Sequence, residues 1–169
     1  MTNKESLLTA EMLRQELNYC PDTGAFKWTR RGRGRRASLE AGHVDQLGYV
    51  VIRLNGRSYL AHRLAWLHVH GEWPAEMVDH INGQRADNRI ANLRPATCAI
   101  NAQNLKGPTA HNKTGLMGVG YKAGALTNRY TACISINGRS KRLGCFPTAD
   151  AAHAVYLEAK RRLHEGCTI

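Results

Sequence analysis

An α+β fold with short antiparallel sheets is predicted by three observations. Two β-type runs fold back at an Asn-Gly pair, Asn55-Gly56 and Asn137-Gly138, each a strong hairpin signal. Each hairpin is followed by a helical pattern, and a breaker-rich polar stretch near residue 106 divides the chain. A length of 169 residues fits one or two small domains, and 43% hydrophobic content is enough for a modest core.

From the N-terminus, Thr9 caps a short helix predicted to run to about Asn18, with Met12, Leu13 and Leu17 on one face. The Pro21-Asp22-Thr23-Gly24 turn leads into an Ala25–Trp28 strand. Next comes the densest basic run, with Lys27, Arg30, Arg31, Arg33, Arg35 and Arg36 separated by glycines and without an acid. It cannot pack into a core and reads as an arm that tracks phosphates or a minor groove. Gly48–Leu54 and Arg57–Leu60 form the first hairpin, and a Leu- and Trp-rich helix over Ala61–His70 follows. Its His62, His68 and His70 read as structural rather than ligating side chains.

Past residues 106–115, the linker stretch, the pattern is clean. A strand near Met117–Lys122 precedes Arg129–Ile136, where Tyr130, Ala132, Ile134 and Ile136 face one way and Arg129, Thr131, Cys133 and Ser135 the other. Arg139–Phe146 returns, and Thr148 caps a helix with Ala152, Val155, Tyr156, Ala159 and Leu163 in a stripe. This spells a three-stranded antiparallel sheet packed on one helix, leaving a polar and basic sheet face free. The predicted organisation is residues 1–105, a linker at 106–115, and a second domain at 116–169.

The net charge is +11, distributed as +4 over residues 1–74, +1 over 75–107 and +6 over 108–169. Two basic flanks around a near-neutral middle favour a nucleic-acid partner. The five cysteines are scattered with no C-x-x-C, so neither a disulfide framework nor structural zinc is expected. No run of ~18 apolar residues predicts a membrane span, and the first residues lack a signal-peptide core. A soluble, cytoplasmic protein without a membrane partner is expected.

The near-neutral middle holds the most informative pattern. A strand ends in Asp79-His80, a polar loop follows, Asn92-Leu93-Arg94 opens a return strand, and Thr97 caps a helix carrying Asn101 and Asn104 at i, i+3. Asp79 and the amide oxygen of Asn101 are hard ligands that suit one Mg²⁺, or Mn²⁺, better than Zn²⁺. His80, outside the metal shell, is placed to take a proton from water.

This segment resembles the HNH endonuclease motif of the ββα-metal fold, in the phage and homing-endonuclease branch that ends the motif in Asn. The resemblance runs from about Leu7 to Asn104 and includes Asp22–Trp28, Ala61–Trp66 and Gly71–Pro74. It implies His80 as general base, Asp79 and Asn101 as ligands of a single divalent metal, and Asn92 as the brace of the loop beside the histidine. Asn104 is then a residue behind the metal ligands or a phosphate contact, and it is expected with Arg85 and Arg94 among the residues that bind DNA. The implied reaction is phosphodiester hydrolysis leaving 5′-phosphate and 3′-hydroxyl ends.

The tail is similar to an APETALA2-type DNA-binding domain, on Thr114–Val119, Arg129–Ile134, Leu143–Thr148 and Ala151–Tyr156. That likeness implies major-groove contacts from Tyr121, Lys122, Arg129, Arg139, Lys141 and Arg142. Met117 and Gly120 stand where plant members carry arginines. The implied partner is double-stranded DNA, cut as a nickase, or on both strands by successive nicks or a homodimer. The alternative is a non-cleaving regulator on an inactive HNH scaffold.

Overall fold

The computed structural model describes residues 5–30, 39–105, 107–109 and 111–168. Its architecture is mixed α+β with small antiparallel sheets, in two compact units, Met1–Thr97 and Cys98–Ile169.

In the first unit, Thr9 Oγ1 accepts from Met12 N at 3.2 Å and caps α1 (Ala10–Glu16). The helix stops before Asn18 because Leu17 turns extended, is fully buried, and opens β1 (Leu17–Tyr19). β1 pairs with β2 (Phe26–Trp28), and β3 (Glu40–Ala41) extends that sheet. Met12, expected on the buried face, is exposed.

A second sheet has the order β4 (His43–Val44), β5 (Val50–Leu54), β6 (Arg57–Leu60). Asn55 and Gly56 both have positive φ, 51° and 77°, which gives the two-residue turn whose twist matches its strands. Helix α2 (Ala61–His70) starts where β6 ends and stops at Gly71, φ 81°. Ala61, Leu64, Ala65 and Leu67 bury against Ile52, Leu54, Leu13 and Leu17 in one core. The last hairpin, β7 (Met77–His80) with β8 (Leu93–Ala96), joins that core through Val78 and Leu93. Each fully buried Leu or Ile contributes roughly 1.5–3 kcal/mol.

The second unit begins with α3 (Cys98–Gln103) and continues as β9 (Val119–Tyr121), β10 (Tyr130–Ile136), β11 (Arg139–Phe146) and α4 (Ala149–Leu163). The sheet order is β11-β10-β9, with α4 packed on it and capped by Thr148. Gly118, φ 70°, lets the Tyr156 ring lie against the backbone, since a Cβ there would sit 2.0 Å from the ring. The core is small: Val119, Ala132 and Ala152, with Tyr130, Phe146 and Tyr156 around them.

The division between the units falls between Thr97 and Cys98, so α3 goes with the second unit rather than the first. The stretch read as linker is also tied down where it is described. Asn112 Nδ2 donates to Leu116 O at 2.8 Å, and Thr114 Oγ1 to Val119 O at 3.1 Å. Polar turn residues hold a chain in place as readily as they free it. Among the described residues, no helix is long and apolar enough to cross a membrane.

Candidate active site

Strand register brings the charged pair together. Asp79 lies directly opposite Arg94, and His80 opposite Leu93. Arg94 Nε and Nη2 donate to Asp79 Oδ2 at 3.0 and 2.8 Å, and both Asp79 and His80 are 4% exposed. A charge so deeply placed needs such a partner.

Asn92 holds the loop that links the strands. Its Oδ1 accepts from Asn82 N at 2.9 Å, its Nδ2 donates to Asp87 O at 2.8 Å, and its own carbonyl accepts from Ile81 N at 2.9 Å. Within the loop, Asn82 Nδ2 reaches Asp87 Oδ2 at 2.7 Å. The Asp87–Arg89 pair holds the Asp87 carboxyl down at about 2.

His80 Nε2 lies 3.2 Å from Asn88 Oδ1. Asn88 Nδ2 donates to Ala86 O, which points Oδ1 at the imidazole, so Nε2 carries the proton and Nδ1 the lone pair. Burial pushes the His80 pKa below its ordinary value, favouring the neutral ring a base needs; the Asn88 contact and nearby Asp79 and Asp87 oppose the shift.

Asn88 is fixed in turn from the N-terminal hairpin. Tyr19 Oη donates to Asn88 O at 2.7 Å, and Gly24, φ 73°, fits where a Cβ would stand 2.5 Å from Asn88 C and Arg89 N. Arg63 fixes the approach to β7, pairing with buried Glu5 at 2.7 Å while donating to Glu76 O and Pro74 O. Neither Asn88 nor Tyr19 stood out in the sequence. Asn88 could have been flagged only as an amide eight residues past the histidine, a weak signal.

Two rings flank His80. His62 stands edge-on at 4.9 Å between centroids, and Tyr49 lies at 6.1 Å. His62 Nδ1 is buried without a hydrogen-bond partner among the described residues. Burial, with smaller contributions from His80 and Arg63, drives the His62 pKa down to about 3, so this ring is neutral.

Asn101 is exposed on α3 in the second unit, whereas Asn104 is 5% exposed with Oδ1 accepting from Thr168 Oγ1 at 2.7 Å. They do not share one solvent face, because Asn104 turns into its own unit. Arg30 pairs loosely with Glu16 at 3.5 Å; Arg31, Arg33, Arg35 and Arg36 lie outside the described residues. Arg85 is exposed but engaged, with Nη1 donating to Leu47 O at 2.8 Å and the guanidinium 5.0 Å from the Tyr49 centroid.

In the second unit, Tyr121, Lys122, Arg129, Arg139, Lys141 and Arg142 are exposed, with Arg129 Nε donating to Ala125 O. The single basic sheet face does not form. Lys141 pairs with Ile134 and Arg139 with Ile136, on the helix side, while Arg142 pairs with Cys133 on the opposite side. The bulge at Ala132/Cys133 sets this phase.

Among the described residues, no group of three or more His, Cys, Asp or Glu could hold a metal. A family model described as HNH endonuclease matches residues 59–103, from β6 through α3, and so supports an HNH nuclease over that stretch. Searches of curated proteins and of solved structures found no significant match.

Proposed function

We propose that the chain is a metal-dependent DNA endonuclease of the phage and homing HNH type, with a ββα-metal core whose hairpin is β7–β8. It hydrolyses phosphodiester bonds to 5′-phosphate and 3′-hydroxyl ends, and the APETALA2-like second unit binds double-stranded DNA. The observation that carries this reading is the buried His80, held by Asn88 in one tautomer beside Asp79.

Asp79 at the end of β7 offers a carboxylate, a hard oxygen that suits a divalent cation completed by waters and substrate phosphate, the habit of Mg²⁺. Asn101 is the second ligand that the likeness to HNH nucleases implies. Arg94, bound to Asp79 Oδ2, orients the carboxylate. When bound, the cation stabilises charge on the scissile phosphate and on the departing oxygen. His80 takes the proton of the attacking water at Nδ1, while Asn88 retains the Nε2 proton. Asn92 keeps the loop rigid, so the ring does not wander as it charges. Arg85, exposed next to Tyr49, offers a cation to a phosphate near His80.

One contact favours the non-cleaving alternative: both donors of Arg94 fall on the carboxylate that the metal needs. Incubation with closed circular plasmid, with and without Mg²⁺, decides. The nuclease reading expects nicks that appear only with the metal and that DNA ligase reseals, since resealing needs 5′-phosphate and 3′-hydroxyl ends. Intact plasmid in Mg²⁺ and Mn²⁺, despite DNA binding, would leave the regulator reading.

A further inference from the structure

The turn from β4 to β5 holds an exposed apolar side chain on a fixed backbone. Asp45 Oδ1 accepts from Leu47 N and Tyr49 N, both at 2.9 Å, and Asp45 O accepts from Gly48 N at 3.0 Å. Asp45 N donates to Tyr49 O at 2.8 Å, and Arg85 ties down the Leu47 carbonyl from outside the turn. The Leu47 side chain is left 66% exposed, with Val44 before it at 59%. A lone exposed leucine needs no explanation. This one sits on a hydrogen-bonded turn, and Arg85, which holds its carbonyl, lies 5.0 Å from the Tyr49 ring centroid, itself 6.1 Å from that of His80.

An apolar tip beside an exposed cation matches a polymer whose apolar surface lies inside a sheath of phosphates. Resting on the nuclease reading above, we propose that Leu47 is a wedge that enters the base stack of duplex DNA beside the bond to be cut, while Arg85 takes an adjacent phosphate. A wedge of this kind partly unstacks one step and bends the duplex. The rigid turn suits that task, because a yielding tip would fold away before it parted the bases. The bend would carry the sugar-phosphate chain toward His80.

Unwinding can be read without cleavage. A closed circular plasmid is relaxed by a topoisomerase that needs no metal, in chelator, with the protein bound, and its topoisomers are then resolved. The parent and His80→Ala should shift the distribution equally. Leu47→Ala should bind duplex about tenfold more weakly and, at matched occupancy, lose most of the shift, whereas Leu47→Met should keep it. Unfolding temperatures should not change, since the side chain is exposed.

A full shift from Leu47→Ala, or no shift from bound parent, overturns the wedge. Dissociation of a dimer on Leu47→Ala, seen by light scattering, would also overturn it by assigning the tip to a second copy of the chain. The two readings separate cleanly. Cutting in Mg²⁺ without a topoisomer shift sinks the wedge alone, whereas a Leu47-dependent shift without cutting supports the wedge and sinks the nuclease reading.

Discussion

The two Asn-Gly hairpins share one turn geometry, with φ of 51° and 77° at Asn55-Gly56 and 50° and 75° at Asn137-Gly138. Their strands meet different surroundings. β5 and β6 bury Ile52, Leu54 and Tyr59 in a large core under α2, which carries His62 to the side of His80. β10 buries Ala132 and Ile134 under α4, but β11 leaves residues 139–142 exposed. The turn sets local geometry, and the packing partner decides whether a hairpin backs a site or presents a surface. Buried polar groups occur in both units, with Asn104 and Lys160 sunk in the second. The first unit sinks His62, Asp79, His80, Asn88 and Asn92 together, an expensive arrangement that points to chemistry.

Core truncation would break the comparison most forcefully. Ile52→Ala and Ile134→Ala should each cost about 2–5 kcal/mol, and each loss should appear in its own unit by hydrogen exchange. Protection lost equally in both units would show one cooperative body. Gly24→Ala comes next, because the added Cβ meets backbone at 2.5 Å in a left-handed conformation. About 1–3 kcal/mol for overpacking adds to 1–2 for the backbone. Displacing Asn88 should also slow cleavage more than it weakens DNA binding; an unaltered rate would detach the N-terminal hairpin from the site.

The buried imidazole gives a smaller, graded effect. His62 stays neutral in the fold down to about pH 3, while the unfolded chain takes that proton at about 6.5. Between these values the unfolded state binds more protons, so stability rises with pH and levels off above 6.5. His62 alone should contribute up to ~1.4 kcal/mol per pH unit to that slope, and His62→Phe should lower it by that amount in denaturant titrations, leaving what the likewise depressed His80 contributes. Smallest is the surface effect. Arg142→Gln should lower the log–log salt slope of DNA binding by about 0.9 if it meets one phosphate. Lys141→Gln, on the helix side, should leave the slope alone; the reverse result would place DNA on the other face.

Much of this was legible in the sequence because local rules govern it. Asn-Gly pairs, Thr9 and Thr148 at caps, and the stripe of the last helix each report a choice settled within a few residues. The pairing of Asp79 with Arg94 and the support of Asn88 by Tyr19 and Gly24 were not legible, since register and a contact across 69 residues are tertiary outcomes. Asn104 failed as a surface amide for the same reason: helical spacing names a face, not what covers it. The basic sheet face failed because the neighbours Lys141 and Arg142 point to opposite sides, and the bulge at Ala132/Cys133 turns Arg139 and Lys141 toward the helix.

The central claim is that His80 is the base. Its most direct test is the first-nick rate on closed circular plasmid in Mg²⁺, for the parent and His80→Ala, with DNA affinity measured alongside. General-base loss predicts a rate lower by ~10²–10⁴, about 3–5 kcal/mol of barrier, at unchanged affinity. A His80→Ala protein that nicks as fast as the parent would contradict it.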